Sequence, residues 1–407
     1  MNTFVLAGTS YRGLAMYAKP ISQLFQDSAR LVGVFDPNPL RAKVVSNRSG
    51  NPPIFGDFDQ MLAQTKPDCV IVTTVDRYHH EYIIRAMDAG CEVITEKPMT
   101  IDAEKCRAIL AAEQRTGRKL TVTFNYRFTP FTTRIKEAIQ SGVIGKILSV
   151  DFEWLLDTSH GADYFRRWHS HMQNSGGLLV HKATHHFDLI NWWINDEPAT
   201  VFGLGELKFY GPKRTERGVN CRTCSHTDTC EFYWDATTDP DIKAIYLDTE
   251  QADGYLRDRC VFRDEIDIYD TMAVTVAYRG GPFLSYSLTA HSPYEGWRMA
   301  INGAGGRLEA EEIESGFRER VSPTMQFRVF NRKGDMITHD VPKATGGHGG
   351  SDEVLLKHLF SGKDIPDPLG HMAGSRAGAM SILIGVAANQ SIKTGQAVKI
   401  DDLLAGK

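Results

Sequence analysis

No run of apolar residues in the 407-residue chain reaches the roughly eighteen needed to cross a bilayer, which excludes a helical membrane span. Neither sign of charge is in surplus: Lys plus Arg total 46 against 50 Asp plus Glu, a net charge of −4. No overall field would draw a nucleic acid or an anionic membrane, so a small, polar, roughly neutral partner fits better. Internal repeats and low-complexity linkers are missing, which excludes solenoids and disordered tethers. The opening MNTFVLAGTS has no basic n-region, and the expectation is a cytoplasmic protein. Cysteine is scarce at seven, and Cys69, Cys91 and Cys106 lie singly in contexts that read as buried reduced thiols.

What is present is an ordinary globular composition, 42% hydrophobic and 24% charged, enough for two or three cores. Short apolar runs alternate with amphipathic segments over the first 120 or so residues, the pattern of a parallel sheet wound with helices. Residues 3–7, 29–35, 69–74, 92–95 and 120–124 read as strands, with helices between them and prolines at the joints. Beyond Asn125 the runs lengthen and alternate strictly, as in 147–155, 271–278, 283–290 and 326–331, which suits a mostly antiparallel sheet covered on one face. Two helices are predicted there, over about 178–194 and 375–392. The expected fold is α/β: a doubly wound Rossmann domain over 1–124, then an α+β domain over 125–407 with a large open sheet and a Cys-rich insertion at about 210–262.

The first strand runs into Gly8, Thr9, Ser10, Tyr11, Arg12 and Gly13, and a helix follows. This is G-x-G-x-x-G spacing with Ser10 at the middle glycine. Asp36 ends the second strand, where a carboxylate accepts from the adenosine ribose hydroxyls and repels a 2′-phosphate, so NAD is preferred over NADP. Arg41 close behind softens that preference.

Three further segments carry a resemblance: Thr73 to His79 with Thr74 and Asp76; Glu96, Lys97 and Pro98; and Gly176–Gly177 leading into a helix with His181 and His185. With Asn125, Tyr126, Arg127 and Phe128 opening the second half, the chain resembles the Gfo/Idh/MocA family, relatives of glucose/fructose oxidoreductase and inositol dehydrogenase. The resemblance implies hydride transfer between NAD and a hydroxyl carbon of a sugar, glycoside or cyclitol, and a homodimer or homotetramer. It places Thr74, Asp76, His79, Glu96, Lys97 and Asn125 near the cofactor, and Lys97 and His185 facing the nicotinamide. The chemistry agrees: an imidazole titrating near neutrality takes the hydroxyl proton, and an ammonium stabilises the alkoxide.

The chain departs from the family pattern at His181, where relatives carry an aspartate one turn before the catalytic histidine. His181 and His185 are four apart, so they are expected on one helix face, with Asp188 a turn further on. His181 reads as a proton relay or substrate contact, against a metal ligand paired with His185 or an inert lining residue. Lys182 and His186 read as structural. An NAD-dependent glycosidase, acting by transient oxidation and elimination, is the alternative function, and a catalytically silent relative is opposed by the presence of Lys97 and His185. Arg127, Arg166, Arg167, Trp168, His169 and Tyr294 lie in segments that can line the substrate cleft, and His348 in the glycine-rich 346–350 completes the candidates.

Cys221, Cys224 and Cys230 give C-x2-C-x5-C, and Cys260 follows. In a reducing compartment this spacing reads first as a structural zinc site, then as free or disulfide-bonded thiols, then as an iron–sulfur cluster, with His226 an alternative ligand.

Overall fold

The computed structural model describes residues 1–318, 322–347 and 349–406. Two sheets organise it. The first has seven strands in the order β15-β6-β5-β4-β1-β2-β3, where β1 is Asn2–Ala7, β2 Ala29–Phe35, β3 Ile54–Phe55, β4 Cys69–Val72, β5 Glu92–Thr95, β6 Leu120–Val122 and β15 Ala373–Gly374. The first six run parallel, and β15 adds antiparallel to β6. Every residue of β4 is buried, as a strand covered on both faces requires. Local chemistry sets the helix boundaries: Asp57 caps Phe58–Thr65 by accepting from Gln60 N–H (2.7 Å), and Asp102 caps Ala103–Thr116 by accepting from Lys105 N–H (2.9 Å).

The second sheet has nine strands in the order β14-β13-β12-β11-β7-β10-β9-β8-β16. Here β7 is Ile147–Asp157, β8 Pro198–Glu206, β9 Thr271–Tyr278, β10 Phe283–Ser292, β11 Tyr294–Gly303, β12 Gly306–Gly316, β13 Thr324–Asn331, β14 Met336–Pro342 and β16 Val398–Lys399. All neighbours are antiparallel except the central pair β7 and β10. The inner face packs on helices Ala183–Ile194 and Ser375–Thr394.

Two features depart from the predicted elements. The helix expected over 178–194 is broken at Lys182 into Leu178–His181 and Ala183–Ile194. The chain also returns to the first sheet after residue 350. Leu355 and Phe360, on helix Ser351–Phe360, are buried with Phe4, Leu14 and Tyr17 beneath β1. Among the described residues no helix is long and apolar enough to cross a membrane.

Candidate active site

Gly8 follows β1 with φ +93°, and a Cβ there would lie 2.6 Å from Thr74 N. A Cβ on Gly13 would lie 2.7 Å from Thr73 Oγ1 and 2.8 Å from Gly8 O, so both glycines are needed for the turn to close on β4. Ser10, standing where a glycine was expected, caps the helix over 11–23: its Oγ accepts from Gly13 N–H (3.1 Å) and donates to Thr73 O (3.3 Å). Asp36 accepts from Thr9 N–H (2.7 Å) and Asn38 N–H (2.8 Å), with Arg41 3.6 Å away. Within the turn Thr9 Oγ1 is buried without a partner. A tight glycine turn packed closely on β4, opening into a helix, with a carboxylate just after β2, is the arrangement a dinucleotide requires, so the residues present fit NAD.

Glu96, Lys97 and Pro98 follow β5, and the Lys97–Pro98 peptide is cis. Glu96 accepts from Arg12 Nε (2.7 Å) and Tyr17 O–H (2.7 Å); burial alone would raise its carboxyl, but Arg12 holds it below the usual range. Arg12 also lies 3.5 Å from Asp352, whose other oxygen accepts from Asn125 Nδ2 (2.6 Å). Lys97 Nζ donates to His181 O at 3.4 Å, which joins the first sheet to the second-sheet helices. Burial pushes the Lys97 ammonium down to about 8, against the pull of Asp76 and Glu96. Asp76 Oδ2 lies 2.5 Å from His181 Nδ1, both side chains buried. Burial raises the Asp76 carboxyl, opposed by Lys97 and Arg167, and lowers the His181 imidazole.

The His181 ring meets His169 edge to face (4.2 Å), and Trp168 stacks on His169 (3.5 Å). Tyr164 lies 5.5 Å from His181, and its hydroxyl is 3.0 Å from His160 Nε2. His185 stands against Phe124 and Tyr126, at 6.0 and 6.2 Å between ring centres. The structure therefore brings Lys97, Asp76, His181, His169 and Trp168 together. The break at Lys182 lies between His181 and His185, so the two histidines do not share one unbroken helical face.

Several expectations are corrected. Arg127, expected to line the substrate cleft, instead grips Asp188 at 2.6 and 2.7 Å, both side chains buried, and donates to Gly370 O (2.9 Å). His79 is buried with its nitrogens 2.8 Å from Pro98 O and 3.1 Å from Thr74 O, a tie between two strand-end loops. Arg166 faces the insertion, donating to Phe232 O and to Cys221 Sγ. Arg167 pairs with Asp163 at 2.9 Å. Tyr294 accepts from Arg318 (3.1 Å) and packs on Phe317. Lys182, expected to be structural only, sits 4.6 Å over the Trp154 ring and is close enough to Lys97 to disfavour its charge. His186 is structural, with Nδ1 2.8 Å from Tyr286 O–H. His348 lies outside the described residues.

The metal expectation finds no support. Among the described residues no group of three or more His, Cys, Asp or Glu is arranged to hold a metal ion, at Cys221, Cys224, Cys230 and Cys260 or elsewhere. The Arg166 guanidinium stands 3.2 Å from Cys221 Sγ; burial raises that thiol, and the Arg166 charge opposes the rise. All seven cysteines are free thiols.

Comparison with known proteins decides the family. A model described as the oxidoreductase family NAD-binding Rossmann fold matches residues 3–124, and the C-terminal alpha/beta domain of the same family matches 136–400. The chain belongs to the Gfo/Idh/MocA oxidoreductase family. It is 38% identical to the putative oxidoreductase YteT of Bacillus subtilis over 422 residues, 99% of each chain. An inositol 2-dehydrogenase of Rhizobium meliloti is 31% identical over 46% of this chain and 53% of its own. Levoglucosan dehydrogenase, solved with NADH and levoglucosan, shares the fold with a TM-score of 0.68 at 20% identity, over 98% of this chain and 99% of that one.

This Gfo/Idh/MocA oxidoreductase also carries site features that no motif announced. Tyr126 O–H is shared between Glu312 (3.1 Å) and Glu314 (2.8 Å), and burial with the Glu314 charge pushes the Glu312 carboxyl up to about 8. Asp163 binds Arg257 of the insertion at 2.7 Å. Tyr246, also in the insertion, reaches the glycine turn. Glu312 and Glu314 are two residues apart, the spacing that places side chains on one face of a strand; nothing in the sequence points from Tyr246 to Tyr11.

Proposed function

We propose that this protein is an NAD-dependent dehydrogenase acting on a hydroxyl carbon of a sugar, glycoside or cyclitol. The observation that carries the reading is Lys97, a desolvated ammonium at the carboxyl end of the first sheet, tied to His181 of the second and beside Asp76. Ligands of such sheets lie at that end of the strands. The nicotinamide, when bound, accepts or returns the hydride. Lys97 donates a hydrogen bond to the reacting oxygen and stabilises its negative charge as the proton leaves. His185, one turn beyond the Lys182 break, takes that proton, and Phe124 and Tyr126 fix its ring. Hydride and proton leave together as a two-electron oxidation, and the carbinol becomes a carbonyl. Asp76 and His181 position Lys97 and keep water from its ammonium.

The relatives named dehydrogenases of inositol and of D-glucosides support the substrate class. Asp36 supports NAD over NADP. The outer face of the second sheet, with Phe202, Leu204 and Phe283 exposed, supports a homodimer or homotetramer, which light scattering measures. A panel of sugars, cyclitols and aryl glycosides with NAD tests the activity, following reduced-nicotinamide absorbance and aglycone release together. Net reduction without release is expected; release without net reduction would replace this reading with glycosidic elimination.

A further inference from the structure

We infer that the segment 240–255 of the insertion is a clasp on the dinucleotide and that Tyr246 is a phosphate ligand supplied from outside the Rossmann domain. The inference rests on the NAD-binding reading of the glycine turn. Ile245 is 0% exposed and lies in the core of the first-sheet domain with Leu14, Ala18 and Val45, so the segment is seated there rather than draped over it. The next residue, Tyr246, is half-buried, and its hydroxyl accepts from Tyr11 N–H at 3.1 Å.

Tyr11 opens the helix after the turn, so its N–H is one of the donors a helix N-terminus offers to phosphate. The neighbouring Gly13 N–H is held by Ser10 Oγ and the Thr9 N–H by Asp36. The Tyr11 amide is instead held by a group that is both acceptor and donor. A pyrophosphate at the turn takes the Tyr11 N–H and receives the Tyr246 O–H, so the phenol exchanges one partner for a charged one without leaving its place.

The clasp is fastened again at the ribose end. Arg41 stands between Asp36 (3.6 Å) and Asp253 (2.7 Å), donates through Nε to Ile245 O (3.3 Å), and lies 5.5 Å over the Tyr246 ring. Asn38 Nδ2 donates to Thr249 O (3.0 Å), and Lys19 pairs with Asp241 (3.1 Å). On its far side the insertion is bound to the second half by Arg257 and Asp163. Pyrophosphate and adenosine ribose thus both lie beside a segment anchored at each end, and release of the dinucleotide requires Tyr246 or the Arg41–Asp253 pair to part. Slow exchange follows.

The test uses the full chain. NADH affinity is titrated by fluorescence, and NADH release is followed in a stopped-flow instrument after mixing with excess NAD. Tyr246→Phe keeps the ring and removes the donor; release about tenfold faster and affinity about tenfold weaker are expected, the loss of one hydrogen bond to a charged group. Asp253→Asn, which unties Arg41 without touching the core, is expected to speed release in the same direction. Wild-type release rates in both folded variants would overturn the clasp alone. A wild-type chain that binds neither NADH nor NADPH would overturn the clasp together with the dinucleotide reading.

Discussion

His181 Nδ1 lies 2.5 Å from Asp76 Oδ2, a buried contact between the loop after β4 and the short helix Leu178–His181. The resemblance to the family implies an aspartate where His181 stands; here the carboxylate next to Lys97 is Asp76, from the loop after β4.

Asp76→Asn removes the carboxylate that favours the Lys97 ammonium. The alkaline limb of the kcat profile is expected to move to lower pH, kcat to fall about 10–100-fold, and NADH affinity to stay within about threefold. Initial rates across pH 6–10, with a parallel fluorescence titration, read both effects. An unmoved limb would mean that Asp76 does not act through Lys97.

In the proposed mechanism Lys97 acts as an ammonium, and burial pushes that group down to about 8. Oxidation is therefore expected to decline as pH rises through about 8, because the neutral amine cannot stabilise an alkoxide. Lys97→Arg keeps a cation far above that pH and is expected to lose the limb, at a reduced rate set by the altered shape. Lys97→Ala is expected to lose about 10²–10³-fold in kcat.

Arg127 and Asp188 form a buried pair, and burial raises the Asp188 carboxyl against the pull of the guanidinium. Arg127→Met leaves that carboxylate unpaired and is expected to cost about 3–5 kcal/mol in denaturant unfolding. Adding Asp188→Leu is expected to recover much of the loss. Both proteins should keep NADH binding, since neither residue touches the glycine turn.

The insertion is held by packing and by Arg166, which donates to Phe232 O and Cys221 Sγ. Prolonged dialysis against a chelator is expected to leave the melting temperature unchanged, with no zinc released in elemental analysis. Arg166→Met, which orphans those acceptors, is expected to cost about 1–3 kcal/mol in the same melt.

The parallel strands were legible because burial on both faces leaves runs such as CVIV and TFVLA, and the glycine turn because two close approaches demand glycine. The break at Lys182 was not, since the sequence there keeps helical periodicity. Strands β11 and β12 were missed: Gly296 and Gly303 sit in β11 and Gly306 and Gly316 in β12, and pairing of β11 with β7 and of β12 with β11 and β13, rather than local propensity, holds them. The site was half legible. Lys97, His181 and the turn lie in local motifs, while the Asp76 contact and Tyr246 depend on pairings far apart along the chain. The cysteine spacing suggested zinc because spacing in sequence does not say whether the thiols converge on one ligand set.

The return of the chain to β6 through β15 has a consequence for recombining this fold by exchange of parts. A nucleotide-binding fragment severed after residue 124 would lack Leu355 and Phe360 beneath β1 and the strand that caps β6. A chimera that swaps catalytic halves between relatives must therefore carry residues 351–374 with the donor of the first sheet, or it will inherit a hollow under its own glycine turn.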